Sequence, residues 1–428
     1  MLNRYRELVG KIKFNKTILK SFTYLSILQV LNMIIPLVSY PYLIRVLETE
    51  AYGLVIYITT VVSYFSILIN FGYQLTATKK IAQNRHRPKK LNEIFSAVII
   101  CKLLLFLCSA IIFVGLVFVF EAFSKNLTLA ILCFIVCIND VIFPGWFFQG
   151  VENMKYITII NALSRFISLA LVFIFISKPE DYLLVPVFNF LGSFGGAIVG
   201  WYNVKTQYSV KFFIVPFFKI RHYFQDSVAV FATNVTAVIK DRSSIIFIGA
   251  LLGNQQVAYY YLANRVINTI LALFFNVSAA IFPNIAKSKD HSMLAKTIYY
   301  TFLLGLACCL GIVFLSSFIV KLYGGQQMLP AIPVLQILSL TLVFSPVISL
   351  VGLPLIVNSK YGVYYRSVIA TTLFYLVCNG LLYLFDLASI YTITWALIFT
   401  LLVELVNRAY ICKRVGLGHW IFSDTTKK

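Results

Sequence analysis

Twelve long apolar runs joined by short loops leave this chain one class of structure. They cover 20–43, 52–72, 94–120, 127–150, 156–177 and 181–203 in the first half. In the second half they cover 226–252, 257–283, 297–322, 330–357, 363–386 and 389–412. A bilayer-spanning helix needs about 20 apolar residues, and each run can supply them. Inside the hydrocarbon layer every backbone donor and acceptor must be satisfied within the protein, so a span is a helix or a strand of a closed barrel. The alternation expected of barrel strands is absent from these runs. The sequence therefore predicts an all-α integral membrane protein with about 12 transmembrane helices. Composition agrees, at 60% apolar and 12% charged residues, where soluble domains are about 25% charged. No long hydrophilic stretch interrupts the pattern. A soluble catalytic domain, a nucleotide-binding cassette and a large extracytoplasmic domain are thereby excluded.

Orientation follows from the basic residues. With the N-terminus inside, the inner segments hold 27 Lys and Arg, and the outer loops hold four: Arg45, Lys125, Lys178 and Lys321. Positive charge accumulates on the cytoplasmic side of membrane proteins, so both termini are expected in the cytoplasm. The net charge of +21 then expresses topology and calls for no nucleic-acid partner. The basic N-terminus leads into a full-length span, which is not the pattern of a cleavable signal peptide.

The chain reads as two halves. Leu47–Val55 falls opposite Leu252–Tyr260 at an offset of 205, and each half holds six spans. An even number of spans gives the halves the same orientation and relates them by an axis along the membrane normal. The expected organisation is a six-helix N-terminal lobe (1–203), a cytoplasmic linker (204–225), a six-helix C-terminal lobe (226–412) and a cytoplasmic tail (413–428). The linker is basic and aromatic (Lys211 to Lys219) and suits the inner membrane surface as well as an ordinary loop. Two lobes with a seam between them are the geometry of a transporter.

Charged residues at membrane depth are costly and rarely face lipid. Here they are Lys102, Asp140, Arg165, Lys240, Asp241, Arg242 and Arg265, five positive and two negative. Arg165, Lys240, Arg242 and Arg265 are candidates to line a cationic cavity for an anionic substrate, because a guanidinium fork suits phosphate. Asn32, on a polar stripe of the first span with Gln29 and Ser39, is a candidate for a sugar. Asp140 and Asp241 are candidate sites for coupling to a proton or sodium ion. The plainer reading is ion pairing that fixes helix packing, such as Asp140 with Arg165. Lys102 is expected to reach the inner surface along its aliphatic stem. Glu404 and Arg408, at i and i+4, are expected to form a local pair at the interface. Pro36 and Pro144 are candidate kinks. The eight cysteines all lie in apolar runs, with no histidine beside them, so no metal site and no cofactor are expected. No Walker, GxSxG or HExxH motif is present, and no enzyme is expected.

Three blocks carry a family resemblance. Pro41-Tyr-Leu-Ile-Arg-Val-Leu-Glu-Thr-Glu-Ala-Tyr-Gly-Leu54 resembles the PYL-R-LG-E-YG signature of bacterial Wzx-type oligosaccharide flippases. Gly72–Ala82 and the Phe147, Gln149 and Gly150 positions resemble two further blocks of that family. The family's glycine after the leucine is Glu48 here, a departure at an outer turn that is expected to leave the mechanism unaffected. The resemblance implies a fold like that of the multidrug and toxic-compound extruders, in the bacterial inner membrane. It also implies movement of polyprenyl-diphosphate-linked oligosaccharide from the inner to the outer leaflet. The partners would be that lipid-linked oligosaccharide and the surrounding membrane lipids. A cation-coupled drug antiporter of the same fold would instead want an acidic, aromatic cavity. A membrane-embedded polymerase would want a long outer loop, and a structural membrane protein would leave the intramembrane cations unexplained.

Overall fold

A computed structural model describes the backbone of residues 16–288 and 291–418 and nearly all of their side chains. The basic positions Arg4, Arg6, Lys11, Lys13, Lys289, Lys427 and Lys428, together with His419, lie outside the described residues, as do the side chains of Lys16, Lys20, Lys287 and His291.

The first half of the chain forms α1 (Lys16–Asn70), α2 (Tyr73–Gln83), α3 (Pro88–Val119), α4 (Glu121–Lys125), α5 (Leu127–Val136), α6 (Ile138–Ile142), α7 (Gly145–Gly150), α8 (Met154–Phe175) and α9 (Leu184–Gln207). The second half forms α10 (Phe217–Leu252), α11 (Asn254–Ser288), α12 (His291–Gly324), α13 (Ala331–Ser339), α14 (Thr341–Val351), α15 (Leu353–Val357), α16 (Tyr361–Leu384) and α17 (Ile390–Arg414). All twelve apolar runs fall on helix. Nine segments among the described residues are long and apolar enough to cross a membrane, and the first, Ser26–Gln83, holds two of the twelve passes. Passes seven and eight are α10 and α11. α10 carries Lys240, Asp241 and Arg242 at mid-length, and α11 opens on Asn254, Gln255 and Gln256.

The internal repeat is written in the backbone. Glu48 (φ 64) and Gly253 (φ 91) take left-handed values at the reversal after the first span of each half, at the offset of 205 seen in sequence. Glu152 (φ 60) and Ser359 (φ 56) do so before the fifth span of each half, and Ser209 (φ 51) and Gly416 (φ 80) after the sixth. The turns at Glu152 and Ser359 close with the same bonds: Asn153 N–H to Phe148 O at 2.9 Å, and Lys360 N–H to Leu355 O at 2.8 Å. The fourth span of each half is broken into three short helices, α5–α7 and α13–α15. Proline forces one break directly. Pro144 has no N–H to give the Asp140 carbonyl, so α6 stops at Ile142. By contrast α1 stays helical through Pro36 and leaves helical geometry only at Glu48.

The chain separates into two compact units. The first holds residues up to Ser39, Val62–Ser177 and Leu183–Phe231; the second holds Tyr40–Val61, Lys178–Tyr182 and the chain from Ala232 on. Tyr40–Val61 thus groups with the second half, although its place in sequence lies in the first. In the first unit, Tyr73, Phe95, Trp146, Phe147 and Phe148 are each at most 1% exposed and make an aromatic core between α2, α3 and α7. α8 and α9 meet through small residues: a Cβ at Gly192 would stand 2.4 Å from the Ser164 carbonyl, and one at Gly196 2.3 Å from the Ser164 hydroxyl. Close backbone approach at such small residues is how helices gain contact inside lipid. The 208–216 segment is a non-helical strap, pinned where Lys211 N–H donates to Asn92 Oδ1 and Phe213 N–H to Ser96 Oγ, both at 3.0 Å. In the second unit, α17 starts at a capping box between Ser389 and Thr392, which satisfies donors that a helix start leaves open.

Candidate functional site

The family-like motifs are packing devices. A Cβ on Gly53 would lie 1.9 Å from the Asn254 carbonyl oxygen, so only glycine fits between the second span and the start of α11. Glu50 accepts from Asn254 Nδ2 at 2.9 Å, Arg45 Nη2 donates to Leu322 O at 2.6 Å, and Leu47 is fully buried. Gly150 is held against Ile81 and the Thr78 carbonyl. These residues shape the protein, and Gln74 and Gln149 of the same blocks also reach the polar chemistry of the first unit.

Among the described residues a polar cavity lies within each unit, on the apolar passes. The first unit's cavity, about 550 Å³, is lined by Asn70, Gln74, Lys102, Asn139, Asp140, Asn161, Ser164 and Ser193 with a few apolar walls. At its edge Lys102 does not reach outward. The residue is 2% exposed, and its Nζ donates to Asn70 Oδ1 at 3.0 Å and to the Asp140 main-chain oxygen at 2.8 Å. Asn70 Nδ2 in turn donates to Asp140 Oδ1 at 2.9 Å and to Ser66 O at 2.9 Å. This corrects the expectation for Lys102. Reaching the surface would leave the Asp140 carbonyl and Asn70 Oδ1 without their donor, and an unsatisfied buried acceptor is costly. Asn139 Nδ2 donates to Ser193 Oγ at 2.7 Å, and Gln74 Nε2 to Gln149 Oε1 at 2.6 Å.

The second unit's cavity, about 290 Å³, is lined by Lys240, Asp241, Ser345, Ser349, Tyr364, Thr372, Glu404 and Arg408 among others. Glu404 is its centre. One oxygen accepts from Arg408 Nη2 at 2.5 Å, and the other pairs with Lys240. Arg408 also donates from Nη1 to Ile348 O at 3.0 Å and lies over the Tyr364 ring, 4.7 Å from its centroid. Glu404 is 2% exposed and Arg408 4%. The local interface pair expected from sequence is therefore a buried triad. The helix spacing of Glu404 and Arg408 was legible, but the cation arriving from α10 was not. In the first unit Trp201 Nε1 donates to Ile142 O at 2.6 Å. Residues 201 and 408 stand 207 apart, the spacing of Glu152 from Ser359 and of Ser209 from Gly416, so the sixth span of each half donates to a carbonyl of the broken fourth span at a neighbouring position.

Of the sequence candidates, Lys240 and Asp241 line the second cavity and Asp140 the first. Arg165 on α8, Arg242 on α10, Arg265 on α11 and Asn32 on α1 are half-buried and line neither. Asp140 meets Asn70 and Lys102 instead of Arg165 among its described contacts. Asn70, Glu404, Arg408 and Tyr364 complete the two sites and do not stand out as site residues in the sequence. The available signal was Pro144, which announces a carbonyl in need of a donor four residues earlier.

Comparison with known proteins adds to this geometry. Residues 18–289 match the polysaccharide biosynthesis protein family. A protein of Escherichia coli (strain K12) named "Putative O-antigen transporter" is 25% identical over 326 residues, 75% of this chain and 79% of that protein. A protein of the same name from Shigella dysenteriae is 25% identical over 303 residues, 69% of this chain and 75% of that protein. The lipid II flippase MurJ in an inward closed conformation superimposes with a TM-score of 0.67 at 14% identity, over 91% of this chain and 87% of that one. A MATE crystal structure in complex with MaL6 gives 0.64 at 14% identity, over 95% and 96%. The two solved structures establish the fold as one shared with MurJ and MATE transporters, in line with the lobed, all-helical architecture read from sequence. The match over residues 18–289 covers most of the chain, which therefore belongs to the polysaccharide biosynthesis protein family.

Proposed function

We propose that this protein is a flippase that carries polyprenyl-diphosphate-linked oligosaccharide repeat units, of the O-antigen or capsule type, from the inner to the outer leaflet of the bacterial cytoplasmic membrane. It works by alternating access, with both termini in the cytoplasm. The observation that carries the reading is the excess of cations at membrane depth: Lys102, Arg165, Lys240, Arg242, Arg265 and Arg408 against Asp140, Asp241 and Glu404. Intramembrane charge is retained where it serves a pathway, and this surplus is positive, as an anionic diphosphate requires. Arg165, Arg242 and Arg265 are assigned to the diphosphate, along with Lys240 when it leaves Glu404. Asn32 and the amide- and hydroxyl-lined first cavity are assigned to the sugar. Outward movement of an anion across an inside-negative membrane gains about 2.3 kcal/mol per charge per 100 mV.

Charge reversal of Arg165 or Arg242 tests the assignment. Surface polymer is expected to disappear while the protein stays in the membrane at its normal level. Full polymer in either variant removes that residue from the anion site. Counter-ion coupling is assigned to Asp241, with Asp140 committed to Lys102. Transport in vesicles that is indifferent to collapsed ion gradients would contradict the coupling.

A further inference from the structure

The Lys102 site has the composition of a monovalent-cation site, with an ammonium in the place of the ion. Its acceptors are a side-chain amide oxygen, Asn70 Oδ1, and a main-chain oxygen, Asp140 O, at 3.0 and 2.8 Å. The Asp140 carboxylate stands beside them, fixed by Asn70 Nδ2 at 2.9 Å. Hard cations choose such carbonyl and carboxylate oxygens. The orientation of the Asn70 amide suits a cation, since its nitrogen faces the carboxylate and the Ser66 carbonyl and leaves its oxygen to accept. The Asp140 carbonyl is open because Pro144 cannot donate to it, and it ends the short helix α6, where the partial charge is negative.

We propose that the Lys102 ammonium is a tethered replacement for an exchangeable cation. On this proposal the first unit binds neither sodium nor potassium at Asp140, and removing the ammonium uncovers a site that does. A lysine at this depth keeps its ammonium beside the carboxylate, because the group is tethered to the chain and cannot exchange as a free ion does. The binding claim is independent of what the protein transports. Its consequence, that turnover requires no metal ion at Asp140, rests on the transporter reading above.

The test is thermal unfolding of the purified full-length protein in detergent. Sodium chloride and potassium chloride are compared with N-methylglucamine chloride at equal ionic strength. Wild type is expected to unfold at the same temperature in all three. Lys102→Ala and Lys102→Ser are expected to unfold earlier in N-methylglucamine. A saturable rise of about 2–4 °C in sodium or potassium should then follow, and it should be absent when Asp140→Asn is added. The proposal is overturned if either Lys102 variant is purified and shows no response to both ions. It is overturned equally if wild type shows a saturable metal-ion response that Asp140→Asn removes. The wild-type measurement can overturn the proposal even where the lysine variants fail to fold. Vesicle uptake assays at fixed membrane potential separate this result from the flippase reading, because the ion effect on unfolding does not depend on substrate.

Discussion

The Nζ of Lys102 lies 2.8 Å from the main-chain oxygen of Asp140, the one carbonyl that Pro144 leaves without a donor in its own helix. That contact satisfies a broken helix, and Asn70 links the same ammonium to the Asp140 carboxylate. The absence of the ammonium should be felt as two lost interactions. Lys102→Met is expected to lower stability by about 1–3 kcal/mol, the cost of leaving its acceptors without a donor. Adding Asp140→Asn should recover part of that loss. Chemical or thermal unfolding of the four proteins in the cycle gives the coupling directly, and strictly additive losses would contradict the pairing.

The triad in the second unit makes a parallel prediction. Glu404 neutralises Lys240 and Arg408 together. Glu404→Gln should destabilise by about 3–5 kcal/mol, because two cations lose their carboxylate at once. Arg408→Lys keeps the charge but cannot span Glu404 and Ile348 O with one planar fork, so it should also lose stability. Unfolding midpoints in detergent check both, and a neutral Glu404→Gln would show that the triad is not a packing element.

Glu48 sits at φ 64 and ψ 171, a region that is essentially glycine's own and costs a side chain about 1–3 kcal/mol. Glu48→Gly should therefore raise stability by about 1 kcal/mol after the extra freedom glycine gives the unfolded chain. Gly253, its counterpart at φ 91, has nothing within 4 Å of a built Cβ, so Gly253→Ala should cost about 1 kcal/mol through backbone conformation alone. Opposite signs in the two unfolding shifts are the outcome to look for.

At the first unit's surface, Arg85 Nη2 lies 2.5 Å from Glu152 Oε1, and that hydrogen bond holds the Glu152 carboxyl below its ordinary range. A carboxylate with a lowered folded value contributes stability above its unfolded value and loses it as pH falls through the folded one. Acidification from neutral to below the ordinary glutamate range, about pH 4, should thus remove a small contribution. The Glu152 side chain is 53% exposed, so the loss stays below about 1 kcal/mol and shrinks in high salt. Glu152→Gln should flatten that part of the unfolding-pH profile, while an unchanged profile would show that the pair is inert.

The helical passes were legible because hydropathy and loop charge act over 20 residues at a time and depend on no single contact. The repeat was legible at Leu47–Val55 and Leu252–Tyr260, and the left-handed residues Glu48 and Gly253 supply its physical basis. The polar sites were legible only as ingredients. Lys102 and Asp140 stood out as costly residues, but nothing local to either shows that spans two, three and four bring Asn70, Lys102 and Asp140 together. Glu404 and Arg408 announced their own pairing by helix spacing and concealed the third member, since Lys240 lies 164 residues away in sequence. Long-range convergence of this kind is decided by packing, and packing is what hydropathy does not record.

The central claim is tested most directly in a strain that lacks this protein, by extracting its lipid-linked oligosaccharides and determining their size and sidedness. The account predicts complete repeat units held on the inner leaflet, with no surface polymer. A single repeat unit displayed at the surface would indicate a polymerase, and unchanged surface polymer with normal sidedness would contradict the flippase outright.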